Sequence, residues 1–134
     1  MRIVLVHPAG SNWVLGQKDI TPVANRMAPL GLLSMAAWLE QRGHQVDVYD
    51  CLGRDRLQPH TAIVRDILDR RPELVGFSAT TSGFLDGNDL AAAIKQKRPE
   101  ILTVFGGVHI SALGAPLLEA YPAIDYLCMG EGEA

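Results

Sequence analysis

The chain has 134 residues, the size of one domain, and can bury a core without a disulfide or metal staple. Hydrophobic residues make up 48% and charged residues 20%, a balance that excludes a disordered chain. A formal net charge of −3 provides no basic footprint for nucleic acid or an anionic membrane, and Cys51 and Cys128 stand far apart with no CxxC spacing, as expected of a reducing compartment without a cysteine metal cage.

The first element is a strand, Ile3 to Val6, closed by His7-Pro8 and too short for the apolar core of a signal peptide. Residues 7–28 then precede Pro29, far more than a usual strand-to-helix loop. This stretch, with Asn12, Trp13, Lys18 and Arg26, is either a lid over a ligand or a surface loop. A helix follows from Pro29 to Arg42. Its apolar stretch is broken by Ser34 and closed by Glu40 and Arg42, so it cannot span a bilayer, and the chain reads as soluble and cytoplasmic.

Strand Gln45 to Tyr49 leads to a helix from Pro59 to Arg71, in which Ile63, Val64, Ile67 and Leu68 form one apolar stripe. Pro29 and Pro59 suit a first helical turn, where the missing N–H is not needed. Strand Leu74 to Phe77, a helix from about Phe84 to Arg98, strand Leu102 to Phe105, a short helix Pro116 to Ala120 and strand Ile124 to Cys128 complete the series. Pro72, Pro99 and Pro122 each end a helical segment just before a strand.

This alternation predicts a three-layer α/β domain, Rossmann-like or flavodoxin-like, with a five-stranded parallel sheet covered on both faces. In such sheets ligands bind beyond the carboxyl ends of the strands, near a topological switch. Those ends carry His7, Asp50, the hydroxyl-rich run Ser78-Ala79-Thr80-Thr81-Ser82-Gly83, the pair Gly106-Gly107 with His109 beyond it, and Met129-Gly130 followed by Glu131. Small hydroxyls and open backbone N–H groups can line a pocket, or one hydroxyl can simply cap the next helix. Paired glycines let a ligand approach the backbone, or serve a tight turn. His7 is a metal ligand, a hydrogen-bond donor or a plain strand-end residue.

Several chemistries are missing. Gly10 and Gly16 do not form GxxxxGK[ST], the lone GxG at Gly130-Glu131-Gly132 is not a dinucleotide fingerprint, and no GxSxG elbow occurs. A phospho-receiver domain needs an aspartate where Ser78 stands. The histidines at 7, 44, 60 and 109 lack metal-site spacing.

In combination, RIVLVHPAG, APLGLLSMAAWLEQRGHQVDVYD, LVGFSATTS, VFGGVHISALG and IDYLCMGEGEA resemble the N-terminal cobalamin (B12)-binding domain of cobalamin-dependent radical S-adenosylmethionine enzymes. The resemblance implies that residues 1–134 are a cobalamin-binding domain from the N-terminal part of a longer radical SAM protein. It implies that Ser78, Thr80, Thr81, Ser82, Gly106 and Gly107 surround the nucleotide tail, with His7, His109, Gly130 and Glu131 in the same pocket. Mutases and methionine synthases carry Asp-x-His-x-x-Gly after the first strand. Here Leu5-Val6-His7-Pro8-Ala9-Gly10 lacks that aspartate, so the expectation is a base-off corrinoid without secure ligation of its cobalt by His7.

The implied partner is a radical SAM domain in the same polypeptide, holding a [4Fe-4S] cluster and S-adenosylmethionine in a methyltransferase-type enzyme. This chain lacks CxxxCxxC and is expected to bind neither of those, nor to catalyse anything alone. Two other readings remain open: a flavodoxin-like electron carrier for FMN, and an interaction domain without a cofactor.

Overall fold

A computed structural model describes residues 1–10, 14–15, 18–19, 27–53 and 56–133. The suggested lid residues Asn12, Trp13 and Arg26 lie outside the described residues. Five parallel strands form the sheet: β1 (Arg2–His7), β4 (Gln45–Asp50), β5 (Leu74–Ser78), β6 (Leu102–Gly106) and β7 (Tyr126–Cys128). A two-residue ladder of β2 (Val14–Leu15) with β3 (Lys18–Asp19) is antiparallel. The order β4-β1-β5-β6-β7 reverses direction across β1, which puts the topological switch between β1 and β5.

Helices α1 (Leu30–Glu40), α2 (His60–Asp69), α3 (Phe84–Lys97), α4 (Val108–Leu113) and α5 (Pro116–Ala120) complete the domain. Pro29 and Pro59 sit at the caps immediately before α1 and α2. The expected stripe on α2 buries Ile63, Val64 and Ile67 against one face of the sheet, where Val4, Val6, Val75 and Phe77 alternate inward. Phe77 stacks on Phe105 at 4.7 Å between ring centroids, and Phe84 of α3 meets Phe105 edge-on at 5.9 Å. On the opposite face α1 packs Leu32 and Ala36 onto Ile3 and Leu5.

Helix α4 was not expected from the sequence. Gly107 (φ +105°) opens it and Gly114 (φ +68°) closes it, so its two ends are set by left-handed glycines rather than by side-chain caps. Strand β7 also begins later than expected, because Asp125 is used elsewhere. Its N–H bonds the Thr103 carbonyl, and its carboxylate accepts from the Thr103 N–H (2.8 Å) and from Lys95. Desolvation opposes ionisation of Asp125, but the Lys95 ammonium and the Thr103 donors outweigh it and hold its carboxyl below the ordinary value.

Candidate cofactor groove

The register lines up residues across the carboxyl edge of the sheet. His7 pairs with Asp50, Val6 with Phe77, Ser78 with Gly106, and Gly106 with Cys128. One row deeper, Leu5 pairs with Gly76, Gly76 with Val104, and Val104 with Tyr126. Paired residues in parallel strands share a face, so Gly76 and Gly106 leave two neighbouring gaps in the side-chain layer on the α1 side.

A groove of about 370 Å³ opens over those gaps, within the usual range for small-molecule sites. Gly76, Val104 and Gly106 form its floor, and Leu32, Met35 and Leu39 of α1 form a wall. A Cβ on Gly76 would stand 2.9 Å from Leu5 Cδ2, so this strand glycine keeps the floor low. At the far rim, Gly130 (φ +76°) donates its N–H to Ser111 Oγ at 3.0 Å. The Ser34 hydroxyl of α1 donates to Glu133 Oε1 at 3.0 Å, which ties the Gly-Glu-Gly-Glu segment to both neighbouring helices.

Of the residues singled out in the sequence, Ser78, Gly106, Gly107, Gly130 and Glu131 line this groove. Thr80, Thr81, Ser82 and His109 gather beside it, outside its lining. His109 Nδ1 lies 3.3 Å from Thr81 Oγ1 and its ring stacks on Phe84 at 4.6 Å, while Thr80 and Ser82 share a 3.2 Å hydrogen bond. None of these hydroxyls caps α3, whose cap is Gly83 without a side-chain bond. Gly107 has a demanding steric role: a Cβ there would meet the Ala79 carbonyl oxygen at 2.7 Å.

His7 is not left without an acidic partner. Asp50, in register on the neighbouring strand, places Oδ1 3.0 Å from His7 Nδ1 and also accepts the Leu52 N–H at 2.9 Å. A carboxylate can only accept, so the Nδ1 that faces Asp50 carries a proton. The aspartate absent from the first strand is thus supplied by the end of another. The turn after His7 is pinned from α3, where Asp86 Oδ2 accepts the Gly10 N–H at 3.2 Å and Oδ1 meets His60 Nε2 at 2.6 Å. A Cβ on Gly10 would strike the Ser82 carbonyl oxygen at 2.7 Å, so this turn fits closely against the loop after β5.

Sequence reasoning missed Gly76 and Asp86, and placed Asp50 at a strand end without its pairing to His7. A glycine inside an apolar strand was a usable signal for the first; the carboxylates need strand order and helix placement. Cys51 is buried beside these groups. Burial, aided by the Asp86 and Asp50 charges, pushes its thiol up to about 12 despite a hydrogen bond from the Ala9 backbone, so it is no nucleophile. Among the described residues no group of three or more His, Cys, Asp or Glu side chains stands ready for a metal ion, and no helix is long and apolar enough to cross a membrane.

The B12 binding domain family model matches residues 16–134, and the chain belongs to that family. It is 31% identical over 133 residues to an uncharacterized methyltransferase of Pyrococcus horikoshii, covering 99% of this chain and 27% of that protein. It is 30% identical over 136 residues to the hopanoid C-3 methylase of Methylococcus capsulatus, covering 100% of this chain and 24% of that one. It is 27% identical over 134 residues to the anaerobic magnesium-protoporphyrin IX monomethyl ester cyclase of Rubrivivax gelatinosus, covering 99% and 23% respectively. The chain therefore spans about a quarter of the length of these relatives.

Proposed function

We propose that this B12-binding chain holds cobalamin base-off, with the nucleotide tail in the groove and the corrin at the carboxyl edge of the sheet. The observation that carries the reading is the glycine floor: Gly76 and Gly106 leave a slot beside α1 that a side chain on either strand would narrow. A tail lodged there keeps its own base away from the cobalt. Ser78 offers a hydroxyl at the mouth, and the Glu131 carboxylate at the rim can accept from the amides around a corrin. His7, held by Asp50, stands at the same edge as a pocket residue, with the hydroxyls of Thr80, Thr81 and Ser82 and the His109 ring alongside.

Bound corrinoid supplies a cobalt centre able to carry a methyl group. The chain's own residues bind and orient it. The lengths and names of the relatives support a place for this domain in a longer polypeptide of the methyltransferase or cyclase kind. Its partner there is a radical SAM domain that carries the [4Fe-4S] cluster and S-adenosylmethionine. The test is retention of hydroxocobalamin or, separately, flavin mononucleotide through a desalting column, followed by visible absorbance under anaerobic conditions. Cobalamin retained with a base-off spectrum is the expected result; flavin retained without cobalamin, or neither retained, overturns the reading.

A further inference from the structure

We infer that the groove discriminates among corrinoids by the base on their nucleotide tail, favouring an apolar aromatic base over a purine. The inference rests on the proposed placing of the tail. Its basis is the chemistry of the lining: Leu5, Leu32, Met35, Leu74 and Val104 surround the glycine floor with hydrocarbon and a thioether. The backbone groups beneath are committed to the ladders of β5 with β1, from Leu74 to Phe77, and with β6, from Leu74 to Ser78. The side-chain oxygens on the groove lie at its ends: Ser78 at the strand ends, Glu131 and Glu133 on the closing segment, the last already accepting from Ser34.

A dimethylbenzimidazole pushed over Gly76 meets only apolar surface along its methylated edge. An adenine over Gly76 meets no side-chain oxygen there, and the Cys128 thiol beside Gly106 is only a weak donor, so its exocyclic amine and ring nitrogens lose water partners without full replacement. The expected preference is about tenfold to a hundredfold, tenfold being 1.4 kcal/mol. Val104 is the residue to alter, because Val104→Thr keeps the shape and puts a hydroxyl on the floor beside Gly76.

The experiment is equilibrium binding, by visible absorbance, of cobinamide (no tail), cobalamin, the cresol-tailed cobamide and the adenine-tailed cobamide. Cobalamin and the cresol form should bind at least tenfold more tightly than the adenine form. Cobinamide should bind more weakly than cobalamin. Val104→Thr, with an unchanged circular dichroism spectrum, should narrow the gap between cobalamin and the adenine form. Equal affinity for all three tailed forms refutes the preference alone. Cobinamide binding as tightly as cobalamin refutes the placing of the tail, and binding of no corrinoid refutes the functional reading itself.

Discussion

Adjacent glycines at the end of β6 should fail in opposite ways when each is changed to alanine. Gly107 has φ +105° and ψ −178°, a region nearly closed to other residues and worth roughly 1–3 kcal/mol of strain. Its new Cβ would also lie 2.7 Å from the Ala79 carbonyl oxygen and 3.0 Å from the Ala79 nitrogen, backbone atoms that cannot rotate aside. Relief by movement loosens two bonds of the same turn, Ala79 N–H to Gly106 O (2.9 Å) and His109 N–H to Ala79 O (3.4 Å), each worth about 0.5–1.5 kcal/mol. The sum is roughly 2–6 kcal/mol, and a urea slope of about 2 kcal/mol/M turns it into a midpoint lowered by roughly 1–3 M.

Gly106 is different, since a Cβ there meets Cys128 at 3.4–3.5 Å, ordinary contact. Gly106→Ala should shift the midpoint by less than about 0.5 M while weakening cobalamin retention, because the methyl stands on the groove floor. Urea unfolding followed by circular dichroism, with cobalamin binding measured alongside, checks both. A Gly107→Ala midpoint within about 0.5 M of the parent, or a Gly106→Ala midpoint lowered as far as that of Gly107→Ala, would refute the reasoning.

Thr103→Val should cost about 1–3 kcal/mol, measured by urea unfolding, because it removes from a fully buried site a hydroxyl that donates to the Ala123 carbonyl and accepts from the Asp125 N–H. Asp125 titrates below its ordinary value in the fold, so its contribution is complete above the unfolded carboxyl value and fades as pH falls through the folded one. Asp125→Asn should therefore flatten the loss of stability at acid pH, and an unchanged acid limb counts against the assignment. With Cys51 buried and its thiol near 12, a disulfide reagent in mildly alkaline buffer should titrate Cys128 alone in the native chain and both thiols in guanidinium; two fast native thiols contradict that burial. His7→Ala should leave the base-off spectrum of bound cobalamin almost unaltered, whereas a large spectral change means that Nε2 reaches the cobalt.

All five sheet strands and four of the helices are legible in the residues, because apolar runs and proline punctuation report local geometry. Helix α4 is not, since Gly106-Gly107 reads equally well as a turn, and what turns it into a helix start is the close approach of Gly107 to Ala79 from β5. Carboxyl-edge logic led to Ser78, Gly106, Gly107, Gly130 and Glu131, which all line the groove. It could not pair His7 with Asp50, because that contact depends on β4 lying beside β1 in register, and strand order leaves no mark on periodicity. Gly76 was hidden for the opposite reason: inside LVGFS it looks like a weak strand residue until Leu5 and Val104 are known to flank it.

The two sides of the groove have different mechanical characters, and that decides which of them sets selectivity. Its floor belongs to β5 and β6, held by parallel ladders on both sides, so Gly76 and Gly106 offer a fixed depth. The wall is α1, an almost uniformly apolar helix whose Met35 and Leu39 are unbranched at Cβ and only half buried, so this side repacks more readily than the strand floor. A rigid, featureless floor cannot gain a hydrogen-bond partner by relaxation, while a pliant wall can widen or narrow for different ring sizes. Shape is thus forgiven and polarity is not, which is why a hydroxyl at Val104 should alter the preference for a base more than any change of bulk at Met35.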